Sequence, residues 1–204
     1  MREYVTVEGV EGVGKSYYLE KLRDDPQFFV ILDDDVDAEA LEVLESLRTK
    51  DIFFRSKDPM KEFDGFSKVD LIIIRDKVKP MIKKGKIIVQ DRGADTTCLY
   101  AALQLADQGK GELIALFKRL FEKRKALGLV SERVILLVDN VEKCIERAER
   151  RNNKKYTNEQ KEFVRKVDEG FRRLAKEFPQ RYIVIDLSTE KNVLHRIKEV
   201  LDDA

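Results

Sequence analysis

Gly9-Val10-Glu11-Gly12-Val13-Gly14-Lys15-Ser16 fits the pattern G-x-x-x-x-G-K-[ST] at every fixed position. Glycines in such a loop let the backbone wrap an anion and turn its N–H groups inward, and a following helix N-terminus adds positive potential. The flanks agree, because a strand signal (Glu3–Glu8) precedes the loop and an amphipathic helical pattern (Lys15–Arg23) follows it. Residues 9 to 16 are therefore read as holding the phosphates of ATP or a closely similar triphosphate. Lys15 would reach the β- and γ-phosphates, and Ser16 would ligate Mg²⁺.

Outward from the loop, short β-branched runs alternate with longer helical patterns. Phe28–Asp33, Lys86–Asp91, Arg133–Asp139 and Arg181–Asp186 repeat the strand signal. Helical spacing covers Ala38–Arg48, Ser67–Lys84, Thr96–Gln108, Gly111–Lys125, Val141–Arg151, Asn158–Phe178 and Glu190–Leu201. This alternation predicts an α/β protein with a parallel sheet covered on both faces. Strand ends then share one edge, where ligands bind. No repeat or composition shift divides the chain, so residues 1–204 are read as one domain.

Composition narrows the class of partner. Hydrophobic residues make up 43% of the 204 and charged residues 39%, enough apolar content for a full core under a charged surface. Lys and Arg total 40 against 39 Asp and Glu, so net charge gives no reason to expect nucleic acid or a membrane. The longest apolar runs, such as Leu71–Ile74 and Val134–Val138, are too short to cross a bilayer. Met1-Arg2-Glu3-Tyr4 leads directly into a strand without a signal peptide, and the chain is read as cytoplasmic. Cys98 and Cys144 match neither a metal spacing nor a disulfide frame and are expected to be buried. His195, Tyr17 and Tyr18 are read as helix residues with structural roles.

Two further carboxylates end strands on the same edge. Asp91 closes Ile87-Ile88-Val89-Gln90-Asp91, where a carboxylate can orient a Mg²⁺-bound water, and Arg92 next to it can neutralise phosphoryl charge. Asp139 follows Val134–Val138 and reads better as a helix N-cap. The stretch from Arg147 to Gln160 is polar and basic between two helices. It is either a solvated loop or a lid that brings cations over a phosphate.

Together these residues resemble the thymidylate kinase family, a branch of the P-loop nucleoside monophosphate kinases. Four segments carry the likeness over nearly the whole chain. They are Val7-Glu8-Gly9 through Ser16, with an acid at Glu11; Lys79-Pro80 through Gly85 and on to Asp91-Arg92; Asp95-Thr96-Thr97 with Tyr100; and Glu146-Arg147 through Arg151, followed by Phe163, Val167 and Gly170-Phe171. The resemblance implies a P-loop NTPase three-layer α/β/α fold with a five-stranded parallel sheet and a short lid at about 147–160. It also implies ATP as donor, Mg²⁺, a nucleoside monophosphate as acceptor, and a homodimer. Lys15, Arg92, Arg147 and Arg151 become the catalytic cations, with Arg150 beside them, and Ser16 and Asp91 the metal residues. Glu11, Phe66, Arg92, Tyr100, Asp33 and Arg48 become the acceptor contacts, Glu11 through a sugar hydroxyl.

The acceptor side departs from the family. The Arg expected four residues after Phe66 is Asp70, the aromatic expected after Asp-Arg is Gly93, and the Gln expected after Tyr100 is Ala101. Where an acceptor-phosphate segment is expected stands Leu32-Asp33-Asp34-Asp35-Val36-Asp37, whose carboxylates would repel a phosphate unless an arginine such as Arg48 or Arg55 intervenes. Asp33–Asp35 are read either as a solvated loop capping the helix at Ala38 or as the source of a general base. The leading reading is an ATP-dependent kinase of dTMP or another nucleoside monophosphate. One alternative is a nucleoside or other small-hydroxyl kinase using a carboxylate of Asp33–Asp35. A second is a non-catalytic ATP-binding regulatory module.

Overall fold

The computed structural model describes residues 4–47 and 51–202. Five strands, β1 (Tyr4–Glu8), β2 (Phe28–Ile31), β3 (Ile87–Asp91), β4 (Arg133–Val138) and β5 (Tyr182–Asp186), pair in parallel in the order β2-β3-β1-β4-β5. The helices are α1 (Lys15–Leu22), α2 (Ala38–Leu47), α3 (Pro59–Ile73), α4 (Lys79–Lys83), α5 (Ala94–Asp107), α6 (Leu113–Ala126), α7 (Val141–Arg151), α8 (Asn158–Glu177) and α9 (Val193–Asp202).

Alternation along the strands divides the interior into two cores. Val5 and Val89 join a cluster with Leu19 and Leu22 of α1, whereas Tyr4 and Ile88, partners across the β1–β3 ladder, join Val69 and Ile72 of α3. The sheet is thus covered on both faces, as parallel sheets require. β1 lies between β3 and β4, so the chain reverses direction across it and opens a crevice at its carboxyl end, where residues 9–16 begin.

Several element ends differ from the expected ones. β2 stops at Ile31 because Leu32 turns away: its N–H donates to Asp35 Oδ2 at 2.9 Å, and the Asp35 N–H returns to Leu32 O at 3.0 Å. The cap of α2 is made by Asp37, whose Oδ1 accepts from Ala40 N at 3.0 Å, not by Asp33–Asp35. Asn140, not Asp139, caps α7, accepting from the N–H groups of Glu142 and Lys143. The helix expected from Ser67 starts earlier, at Pro59, because Asp58 accepts from Met60 N and Lys61 N and Pro59 has a pre-set φ. A π-helical turn, Ile74–Val78, joins α3 to α4. Pro80 has no N–H to return to the carbonyl four residues back, and the wider turn accommodates it.

Cys98 and Cys144 are both buried. His195 is exposed on α9 beside Glu199. Tyr18 packs against the core, but Tyr17 is 60% exposed, so helix packing does not account for it.

Candidate active site

The loop between β1 and α1 closes tightly against its surroundings. Gly12 has φ +78°, and a Cβ there would lie 2.0 Å from the Cys144 carbonyl oxygen of α7. Lys15 is buried and donates to Gly9 O at 3.1 Å and Val10 O at 3.4 Å. Burial, with the charge of Arg92 next, pushes the Lys15 ammonium below its usual range. A bound polyphosphate would reverse that effect.

Ser16 Oγ donates to Asp91 Oδ2 at 3.1 Å, and Lys15 Nζ stands 3.9 Å from Asp91 Oδ1. Asp91 Oδ1 is buried without a hydrogen-bond partner. A hydroxyl and a half-satisfied carboxylate facing the phosphate loop suit a hard divalent cation that takes its other ligands from phosphate and water. Among the described residues, no group of three or more His, Cys, Asp or Glu side chains could hold a metal by itself.

Arg92 links this region to Asp33 and Tyr100. Its backbone is left-handed, at φ +61°, and its N–H donates to Val7 O at 3.0 Å. The guanidinium donates through Nε to Asp33 Oδ2 at 2.9 Å and lies 3.5 Å from Tyr100 OH. The acidic run is therefore balanced: Arg92 holds Asp33, Arg23 pairs with Asp35, and Lys77 donates to the Asp35 carbonyl. Arg55 pairs instead with Asp51, and Arg48 lies outside the described residues. Gly93 has a steric reason to lack the expected aromatic, since a Cβ there would sit 2.7 Å from Thr6 Cγ2.

Residues 147–160 comprise the last turns of α7, a short connection and the first turn of α8. Arg151 Nη2 donates to Glu11 Oε1 at 2.6 Å, Asn152 Nδ2 to the same oxygen at 3.0 Å, and Tyr156 OH to Glu11 Oε2 at 2.7 Å. Burial works to raise the Glu11 carboxyl, but hydrogen bonds from Tyr156 and Asn152 and the charges of Arg92 and Arg151 hold it below the usual range. Arg147 pairs with Asp139 at 2.7 Å, and Arg150 Nε lies 3.4 Å from the Glu146 carbonyl of its own helix. Of the three arginines of 147–151, Arg151 is the one paired with the phosphate loop, through Glu11.

A cavity of about 360 Å³ opens beside the loop. Glu11, Asp33, Asp91, Arg92 and Tyr100 line it together with Phe66, so these expected residues do converge. Glu62, Phe54, Phe63 and Gln104 also line it and were not foreseen. The Asp58-Pro59 start signal was present in the sequence, and extending the helix back to it would have put Glu62 and Phe66 four apart on one face.

Glu8, fully buried at the end of β1, accepts from Thr96 Oγ1. Burial, reinforced by the charge of Asp95, pushes its carboxyl up to about 8. A raised acid binds its proton more tightly folded than unfolded, so its contribution is most favourable below pH 4.5 and declines as pH rises through about 8. Glu8→Gln should remove that decline. Thermal midpoints between pH 5 and 8.5 test it, with the variant gaining on the wild type as pH rises; parallel curves would refute the burial argument.

A phosphate loop at the switch point of a parallel sheet, a Ser–Asp pair beside it and an adjoining cavity define a P-loop phosphotransferase. The family model described as thymidylate kinase matches residues 60–197. The thymidylate kinase of Caldanaerobacter subterraneus subsp. tengcongensis is 25% identical over 216 residues, covering 99% of this chain and 98% of its own length. That of Kosmotoga olearia is 27% identical over 206 residues, covering 97% and 95%. The crystal structure of thymidylate kinase from Ehrlichia chaffeensis superposes with a TM-score of 0.65 at 20% identity, covering 97% of each chain, and supports the fold. The chain belongs to the thymidylate kinase family and is a nucleotide kinase, an ATP-dependent phosphotransferase of the thymidylate-kinase type.

Proposed function

We propose that this kinase transfers the γ-phosphoryl of ATP to dTMP or another nucleoside monophosphate held in the cavity beside residues 9–16. The observation that carries this reading is the position of Arg92, which lines the cavity near the Ser16–Asp91 pair. Lys15 and Arg92 would bridge the transferring group, and Arg147 and Arg151 would close over it from a lid at 147–160. Mg²⁺ held by Ser16 and, through water, Asp91 would neutralise phosphate charge. Tyr100, Phe66, Asp33 and Glu11 would orient the acceptor.

Residues 1–204 are assigned to one kinase domain, acting as a cytoplasmic homodimer without nucleic-acid or membrane partners. No helix among the described residues is long and apolar enough to cross a membrane. A hydroxyl acceptor would need Asp33 or Asp35 as its base; each is ion-paired with an arginine, and burial pushes the Asp33 carboxyl above its ordinary range.

The test is ADP release from ATP and Mg²⁺ with a panel of nucleosides, nucleoside monophosphates and sugars. Turnover confined to monophosphates is the expected result. Turnover with a nucleoside alone would overturn the proposal, and silence across the panel would favour a binding module.

Arg151→Ala should lower kcat on the order of 10²- to 10³-fold, with ATP affinity changed much less, because the arginine counters charge that grows in the transition state. Single-turnover rates set against ATP titrations check this. Equal losses in both would exclude a transition-state role.

A further inference from the structure

We infer that Asp33 is a built-in competitor of the acceptor: its carboxylate occupies Arg92, and the phosphate of an incoming nucleoside monophosphate binds by displacing it. The inference rests on the cavity being the acceptor site, and it gives Asp33 its part there.

Arg92 is the only cation among the described residues that line the cavity. The carboxylates of Glu11, Asp33, Glu62, Asp70 and Asp91 line it too, so an entering phosphate has one guanidinium to bind. Three of the carboxylates are engaged elsewhere. Glu11 is held by Arg151 and Tyr156, Asp70 by Arg124, and Asp91 by Ser16. Asp33 is the one placed on Arg92, whose Nε donates to its Oδ2 at 2.9 Å. That N–H is one arm of the fork by which a guanidinium grips a phosphate in bidentate fashion. A carboxylate that stayed there would also repel the arriving phosphate oxygens at close range.

Displacement costs little. β2 ends at Ile31, so Asp33 stands on the loop that follows it. Among the described residues, the contact to Arg92 is the one hydrogen bond its side chain makes. The charges of Asp91 and Lys15 act on its carboxyl as well as that of Arg92, yet the side chain is 58% exposed, so water can replace the contact. The loop itself need not move. Asp35 accepts from Leu32 N at 2.9 Å and pairs with Arg23, and Lys77 donates to the Asp35 carbonyl.

A tethered carboxylate meets Arg92 at high effective concentration. It therefore lowers the apparent affinity of any phosphate by the fraction of time that Arg92 is free. A nucleoside, which brings no phosphate, escapes this competition.

Calorimetric titration with dTMP and with thymidine, in the wild type, Asp33→Asn and Asp34→Asn, is the direct test. Asp33→Asn should bind dTMP roughly five- to tenfold more tightly than the wild type, with KM for dTMP falling in step. Inorganic phosphate should compete with dTMP better by a similar factor, and thymidine should bind as before. Asp34→Asn removes the same charge one residue on and should alter dTMP binding less than about twofold, because a diffuse charge is screened. Damage to the structure weakens binding, so a gain confined to phosphate-bearing ligands is a result that a merely structural role cannot produce. Asp33→Ala should act in the same direction and decides the matter if Asp33→Asn does not fold. Unchanged or weaker dTMP binding overturns the inference and leaves the kinase reading intact, as does an equal gain for thymidine or for Asp34→Asn. Failure of dTMP to bind the wild type and every variant overturns the acceptor-site reading as well.

Discussion

Lys15→Met is expected to reduce phosphoryl transfer on the order of 10³-fold while ATP still binds, because methionine keeps the length of the side chain and removes its charge. The Lys15 ammonium is enclosed by its own loop, 3.1 Å from Gly9 O, and stands 3.9 Å from Asp91 Oδ1. It would thus meet the β- and γ-phosphates in a site shielded from water, where one charge counts for far more than at the surface. Single-turnover measurements should show the loss in the transfer step. A nucleotide titration should show a smaller change, about tenfold, since backbone N–H groups still hold the phosphates. Comparable losses in the two would mean that Lys15 binds ATP and transition state equally.

Gly12→Ala is the second large effect, and it acts through structure. The added methyl would sit 2.0 Å from the Cys144 carbonyl oxygen and 3.0 Å from Ala148 N, both backbone atoms of α7, at a residue with φ +78°. No rotamer change can relieve a clash between two backbones. Either the loop or α7 must move, at a cost of about 3–5 kcal/mol once left-handed strain and overpacking are combined. For a chain of this size that corresponds to a drop of roughly 10 °C in thermal midpoint. Nucleotide binding should weaken as well, because the displaced segment is the proposed phosphate cradle. A variant that melts with the wild type would show that α7 is not packed as described.

Much of the donor half was legible in the sequence. Residues 9–16 form a contiguous motif with local geometry, and the signals of the central strands β1, β3 and β4 survive because a strand buried on both faces must be largely apolar. Glu11, Asp91, Arg92, Tyr100 and Phe66 were also named, and the fold brings them to one cavity. The helix carrying Phe66 begins at Pro59, eight residues before the Ser67 that the periodicity predicts, and Glu62 lies in that added stretch. Lys61, Glu62, Asp64 and Gly65 interrupt the apolar residues of that first stretch, so hydrophobic periodicity is weak there, and only the Asp58-Pro59 cap marks the start.

The three arginines of 147–151 show the opposite case. They look equivalent in sequence, yet Arg151 reaches Glu11 and Arg147 reaches Asp139. Four residues are about one helical turn, so Arg147 and Arg151 share a face but stand about 6 Å apart along the axis, which brings each to a different partner.

The phosphate loop, the parallel α/β order and the family were determined by the sequence itself, because each rests on local spacing or on periods of two and 3.6 residues. The tertiary structure decided which charges meet: Arg92 on Asp33, Arg23 on Asp35, Arg124 on Asp70, and Glu62 left without a donor at Oε2. Three of those four outcomes set the chemistry of the cavity. Each is a contact, or a missing one, between segments far apart in the chain, and no local pattern encodes it.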